Sequence, residues 1–171
     1  WNDVSYVIGG FAWRYQFIDA EGYIYTGDDA QYNFQTASAA PYHADMSPGT
    51  KQFSCGNCHT TGWVSVDDGG LPQDDLLGMG GSFFAPGVQC EACHGEGSVH
   101  RFTRSAEDIM VDTEAGACGS CHARNDGTEI SAADGFILNY SQYDEMLATK
   151  HSELSCVSCH DPHLSNKTGG M

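Results

Sequence analysis

Hydrophobic and polar positions alternate clearly only near the start of this chain. Phe11-Ala12-Trp13-Arg14-Tyr15-Gln16-Phe17 places aromatic residues at every second position, as a half-buried strand does. Turn signals flank it, Gly9-Gly10 before and Asp19-Ala20-Glu21-Gly22 after, and Tyr23-Ile24-Tyr25 reads as a returning strand. Residues 1–26 are therefore expected to form a small N-terminal β-hairpin that covers a core; an edge used for subunit contact is the alternative. Beyond it the period is lost. Residues 27–54 and 64–87 read as loop. Asp67-Asp68 and Asp74-Asp75 in the second loop read as a solvated face, with calcium binding as the alternative. Ser98 to Arg104 is expected as a short helix. The clearest helix is Ser141 to Lys150, where Ser141-Gln142-Tyr143-Asp144 fits a capping box and Tyr143, Met146 and Leu147 share a face. The tail, residues 165–171, is polar and Gly-rich and is expected to be disordered, or ordered only against a neighbour. No stretch approaches the ~18 apolar residues of a membrane span.

So little patterned structure in 171 residues asks what else fills the interior. The answer lies in the cysteines. All eight fall in four copies of Cys-x-x-Cys-His: Cys55 and Cys58 with His59, Cys90 and Cys93 with His94, Cys118 and Cys121 with His122, Cys156 and Cys159 with His160. This is the attachment signature of c-type haem. Cysteines at i and i+3 lie one helical turn apart and reach the two vinyl groups on one porphyrin edge. The histidine that follows ligates the iron from the same side. A zinc reading would pair the cysteines into four-thiolate sites but leaves the histidine after each pair unexplained. A disulfide framework does not use such closely spaced pairs to close long loops. Four covalent haems are the expected cofactors, and they supply the apolar mass that the aliphatic residues do not. An apo chain is expected not to fold. The expected fold is a mostly irregular multihaem cytochrome c fold of one domain, residues 1–171, with short helices, the N-terminal hairpin, a haem-binding region over 55–163, and the haems as core.

Of the eight histidines, four are proximal by position. The remaining four, His43, His100, His151 and His163, match the number of sixth positions to be filled. They are the expected distal ligands, giving bis-histidine iron throughout. Met46, Met79, Met110 and Met146 compete for the same role and would raise a haem's potential, but core packing is the preferred reading for them. The first cysteines of successive motifs are 35, 28 and 38 residues apart, which holds the haems close together.

Charge limits the partners. Asp and Glu number 23 against 7 Lys and Arg, a net charge of −16. Such a surface disfavours nucleic acid and anionic membranes and suits basic redox partners or extracellular acceptors. Covalent haem attachment takes place outside the prokaryotic cytoplasm, so export through a removed signal peptide is expected. Asn139-Tyr140-Ser141 and Asn166-Lys167-Thr168 are glycosylation sequons, and their use is left open.

Several segments resemble the cytochrome c-554 family. They are Tyr6-Val-Ile-Gly-Gly10, Gly22-Tyr-Ile-Tyr-Thr26, Cys55 to Trp63, Pro86-Gly-Val-Gln-Cys-Glu-Ala-Cys-His-Gly95, Asp134-Gly-Phe-Ile137 and Cys156-Val-Ser-Cys-His-Asp-Pro-His163. Within it they are most similar to the extracellular branch, the tetrahaem subunits of OmcE-type cytochrome filaments. Here the family's N-terminal haem motif is absent and the fourth lies at the C-terminal end. The histidine resembling His100 serves that N-terminal haem in cytochrome c-554, so His100 needs another iron, with that of His160 as a candidate. The resemblance implies a homopolymer in which one axial histidine, His43 or His100, crosses between subunits, and a continuous line of haems for long-range electron transfer at the cell surface. A soluble periplasmic electron shuttle is the plainer alternative. A nitrogen-oxide or hydroxylamine reductase with one open haem is a third, disfavoured because no Cys-x-x-Cys-Lys motif is present. No enzyme activity is expected.

Overall fold

Alternation of apolar and polar side chains draws the start of the chain into sheet. The computed structural model describes residues 3–10, 14–123, 132–133, 136–137 and 142–164, which form two compact units, 1–92 and 93–171.

In the first unit, β1 (Val4–Gly9), β2 (Arg14–Asp19), β3 (Gly27–Asn33) and β4 (Ser38–Tyr42) make an antiparallel meander in that order. β1 turns Val4, Tyr6 and Ile8 inward and leaves Ser5, Val7 and Gly9 exposed, the period-2 pattern of a half-covered sheet. Tyr6 stands opposite Ile18 and Ile8 opposite Gln16. The turn after β2 is held by Asp19, whose Oδ1 accepts the N–H groups of Glu21 at 2.9 Å and Tyr23 at 2.8 Å. Gly22 there has φ +92°, and a Cβ on it would lie 2.8 Å from Leu76 Cβ and 2.9 Å from Met79 Cγ, so only glycine fits. The strand pairing differs from the expected hairpin. β1 precedes the expected first strand, of which Phe11, Ala12 and Trp13 lie outside the described residues. Tyr23–Tyr25 contributes isolated bridges, from Ile24 to Ile18 and from Tyr23 to Gln52. The loop expected over 27–54 instead carries β3 and β4.

Ile8, Ile18, Ile24, Phe53 and Met79 form the buried core, with Tyr6, Tyr42, Cys55, Trp63, Leu76 and Phe83 packed around it. Met79, one of the competing ligands, is 1 % exposed and does core packing. The first haem motif is thus laid on this core through Cys55. After α1 (Gly56–His59), short ribbons carry the chain onward. β5 (Thr60–Thr61) pairs with β8 (Ala85–Pro86), and β6 (Val64–Ser65) with β7 (Gly81–Ser82). β8 leads directly into the second motif. Asp68 and Asp74 find partners within the protein: the Ser65 hydroxyl donates to Asp68, and the Tyr6 hydroxyl to Asp74.

The second motif forms α2 (Cys90–His94). In the unit 93–171, α3 (His100–Thr103) fits the helix expected over Ser98 to Arg104. α4 (Ala115–His122) carries the third motif. A two-stranded ribbon follows, β9 (Ala132–Ala133) with β10 (Phe136–Ile137). α5 (Gln142–Leu147) lies within the helix expected from Ser141 to Lys150; Ser141, both sequon asparagines and the tail from 165 lie outside the described residues. The fourth motif forms a single 3₁₀ turn, Cys156–Ser158. Among the described residues, no helix is long and apolar enough to cross a membrane.

Candidate haem sites

Each motif is placed where its chemistry needs a turn of helix. In α1 and α4 the residue after the first cysteine is glycine, and both glycines are buried. The reason is an aromatic ring seated on each. A Cβ on Gly56 would fall 1.9 Å from the Trp63 ring, and one on Gly119 would fall 2.8 Å from the Tyr143 ring. Trp63 and Tyr143 therefore clamp the first and third motifs at these glycines. The glycine after the first cysteine is the sequence signal for this seat. Thr60 closes α1 by donating its hydroxyl to Gly56 O at 2.7 Å. Thr61, 3 % exposed, ties the first motif to the second: its Oγ1 donates to Gly87 O at 2.9 Å and accepts the Gln89 N–H at 2.8 Å.

Burial pushes the Cys55 thiol above its usual range. Cys118 is also raised, by burial first and then by the neighbouring Cys156 thiol, to which it is hydrogen-bonded, with a smaller contribution from Cys93. Thiols of the second, third and fourth motifs thus share one neighbourhood.

The histidines divide by how their rings are held. His94 Nδ1 donates to Met110 O at 2.7 Å, and the Met110 N–H returns a bond to His94 O at 3.3 Å. His100 Nδ1 donates to Ser105 O at 2.8 Å. His122 Nδ1 faces Gln142 Oε1 at 3.4 Å. His163 Nδ1 lies 3.7 Å from Asp161 Oδ1. A carbonyl hydrogen-bonded to Nδ1, as at His94 and His100, fixes the proton there and leaves the lone pair on Nε2, the nitrogen a metal takes. His59 ends α1, and partial burial of its ring lowers its pKa, in the direction of the neutral imidazole that ligates a metal. His160 follows the fourth-motif turn and is exposed. His43 sits after β4 with φ +42°, its ring edge-on to Tyr42 at 4.5 Å. His151 is exposed, three residues before Leu154, whose N–H it accepts. One distal candidate is brought to a proximal ring: His94 and His163 are parallel within 3°, their centres 5.9 Å apart.

Do these residues fit a haem? Among the described residues, no three or more histidine, cysteine or carboxylate side chains gather into a metal site. A porphyrin brings its own nitrogen donors and leaves only the axial positions to the protein, so single imidazoles and imidazole pairs suffice. The apolar surface also fits. Every buried hydrophobic side chain among the described residues belongs to the first unit. In the second, Val99, Phe102, Met110, Val111, Leu154 and Leu164 are 45 % to 75 % exposed around the motifs. Phe84 and Val88, before the second motif, are likewise 79 % and 57 % exposed, so apolar surface that a porphyrin could cover lies in both units.

A family model described as Cytochrome c3 matches residues 83–169, and one described as Cytochrome c554 and c-prime matches residues 27–95. Between them they cover all four motifs. No curated protein sequence matches the chain significantly. Among solved structures it is similar to an undecahaem cytochrome from the S-layer of Carboxydothermus ferrireducens, at 20 % identity and a TM-score of 0.57 over 98 % of this chain and 33 % of that one. It is also similar to the outer cell wall cytochrome OcwA, at 22 % identity and a TM-score of 0.50 over 72 % of this chain and 26 % of that one. The chain therefore spans about a third or less of these larger proteins, and at such identities the likeness is one of fold.

Proposed function

Since this chain belongs to the cytochrome c3 family and is a multihaem c-type cytochrome of electron transfer, we propose that it conducts electrons outside the cell as the repeating subunit of a homopolymer. Each subunit would hold four haems, one on each Cys-x-x-Cys-His, with two imidazoles at every iron. The S-layer and outer-cell-wall positions stated for the two structural neighbours support a cell-surface location. The OmcE-type filament subunits that the motifs resemble support the polymer.

The observation that carries the reading is the manner in which the imidazoles are held. His94 and His100 each give their Nδ1 proton to a backbone carbonyl, so each presents Nε2 in a fixed tautomer and orientation. When bound, haem supplies a one-electron iron couple whose potential two imidazoles keep low. The chain's own imidazoles would fill both axial positions of each iron and leave none open to a substrate. Trp63 and Tyr143 fix the two glycine-containing motifs, so little reorganisation accompanies a change of charge. The acidic surface would keep subunits apart, and a histidine donated across the contact is what holds them. His43, exposed on its turn, and His100 are the candidates for that role.

Electron microscopy of the secreted fraction, with light scattering on the purified protein, tests this. Filaments are expected, and either His43→Ala or His100→Ala should shorten them to single subunits. Protein that stays monomeric at high salt and high concentration would leave a soluble shuttle in place of the polymer. Nitric oxide binding, or a high-spin ferric signal from the intact protein, would favour the reductase reading instead.

A further inference from the structure

We propose that His94 and His163 are the two axial ligands of one iron, so that the haem anchored by Cys90 and Cys93 is closed on its far face by the last histidine of the fourth-motif segment. This rests on the reading that the motifs carry haem and goes beyond it by pairing two particular residues.

The geometry comes first. An imidazole nitrogen sits about 2 Å from a first-row metal ion, and the ring centre lies about 1 Å behind that nitrogen, so imidazoles on opposite faces of one iron have centres about 6 Å apart. The observed separation is 5.9 Å. The rings are parallel within 3°, yet their centres are further apart than those of the Tyr15 and Tyr32 rings stacked in the sheet, at 5.1 Å. The spacing is what an iron between them needs.

The hydrogen bonds agree. The His94 ring is held by its Nδ1 bond to Met110 O at 2.7 Å, and the Asp161 carboxylate lies on the Nδ1 side of His163, 3.7 Å away and beyond hydrogen-bond reach. The same Asp161 Oδ1 accepts the His163 backbone N–H at 2.9 Å, and the Leu164 N–H returns to Asp161 O at 3.2 Å. His163 is therefore presented on a closed turn rather than on a loose end. In His94 the Nδ1 bond leaves the lone pair on Nε2. The other nearby spare histidine, His100, is held by Ser105 O in its own turn and stays available to another iron. A consequence follows for the chain: His160 and His163 lie three residues apart, so one short turn would carry ligands to two different irons.

The test uses the intact holoprotein. Its mass, read for wild type and for His163→Met, counts attached haems; four in both upholds the haem reading independently of the pairing. Electron paramagnetic resonance of the oxidised protein then reads ring orientation, because near-parallel imidazole planes give a rhombic low-spin spectrum and crossed planes give a strongly anisotropic one. Wild type is expected to show a rhombic component equal to one haem, and His163→Met to lose it. In a redox titration of the same variant, one of the four potentials should rise as a thioether replaces an imidazole. In a Cys90→Ala/Cys93→Ala protein, which lacks that haem, His163→Met should move no potential. A rhombic component that persists in His163→Met overturns the pairing, as does a shift that survives without the second-motif haem. Should the three-haem protein fail to accumulate, the resonance comparison decides alone. A wild-type mass short of four haems would instead overturn the reading beneath it.

Discussion

A methyl group at Gly56 would have to share space with the indole of Trp63. An ideal Cβ there lies 1.9, 2.1 and 2.5 Å from Cε3, Cδ2 and Cζ3, whereas non-bonded carbons rest about 3.5–4.0 Å apart. The ring must retreat by about 1.5 Å or more to restore ordinary contact. It cannot do so freely. It packs edge-on against Phe53, centres 5.6 Å apart at 89°, and Phe53 is 3 % exposed among Ile18, Ile24 and Met79. Overpacking of this kind costs about 1–3 kcal/mol, and the close overlap favours the upper end. Alanine recovers up to about 1 kcal/mol of helix propensity. Gly56→Ala should therefore destabilise the holoprotein by about 1–2 kcal/mol, a fall in Tm of roughly 2–8 °C for a chain of this size. Differential scanning calorimetry measures it. The cost should shrink in a Trp63→Leu background, because the two residues contend for one space. A Tm for Gly56→Ala equal to or above wild type would refute the clamp.

Two further outcomes follow from the same part of the molecule. Thr61→Val keeps the shape but strips a buried hydroxyl from Gly87 O and the Gln89 N–H, at a cost of about 1–3 kcal/mol; loss of hydrogen-exchange protection at Gln89 is the specific readout, and unchanged protection would contradict the link between the first two motifs. Tyr6 is pushed from 10.0 up to about 12, by burial first and then by its hydrogen bond to Asp74 and the charge of that carboxylate. A group raised in the fold gives stability that is fully present below the unfolded pKa and is lost as pH rises through the folded one. Wild type should thus lose about 1 kcal/mol or less, after solvent screening, between pH 10 and about 12. In urea titrations across that window Tyr6→Phe should lack this share of the decline, and an identical slope in both proteins would count against the contact.

The chemistry of this chain was far more legible than its path. Cys-x-x-Cys-His names its own cofactor because two thiols and an imidazole must meet one porphyrin edge, a demand that survives any fold. α3 was visible because a helix of that length is set locally. β3 was not, since Gly27-Asp28-Asp29-Ala30-Gln31-Tyr32-Asn33 is acidic and polar and has little strand propensity. It becomes a strand through its neighbour: Tyr32 stacks on Tyr15 at 5.1 Å, and Gln16 bonds Gln31 across the pair at 3.1 Å. The supports of the imidazoles were hidden for a different reason. Met110 and Ser105 contribute backbone carbonyls, which every residue possesses, so no side-chain pattern could mark them. The meeting of His94 with His163 likewise depends on where distant turns bring the chain.

The uneven distribution of buried side chains has a consequence for where the backbone opens. Residues 1–92 enclose Ile18, Ile24 and Met79 with side chains of their own, so the slowest backbone exchange is expected around those three residues. Among the described residues from 93 onward no hydrophobic side chain reaches that degree of burial, so local opening there should take less free energy.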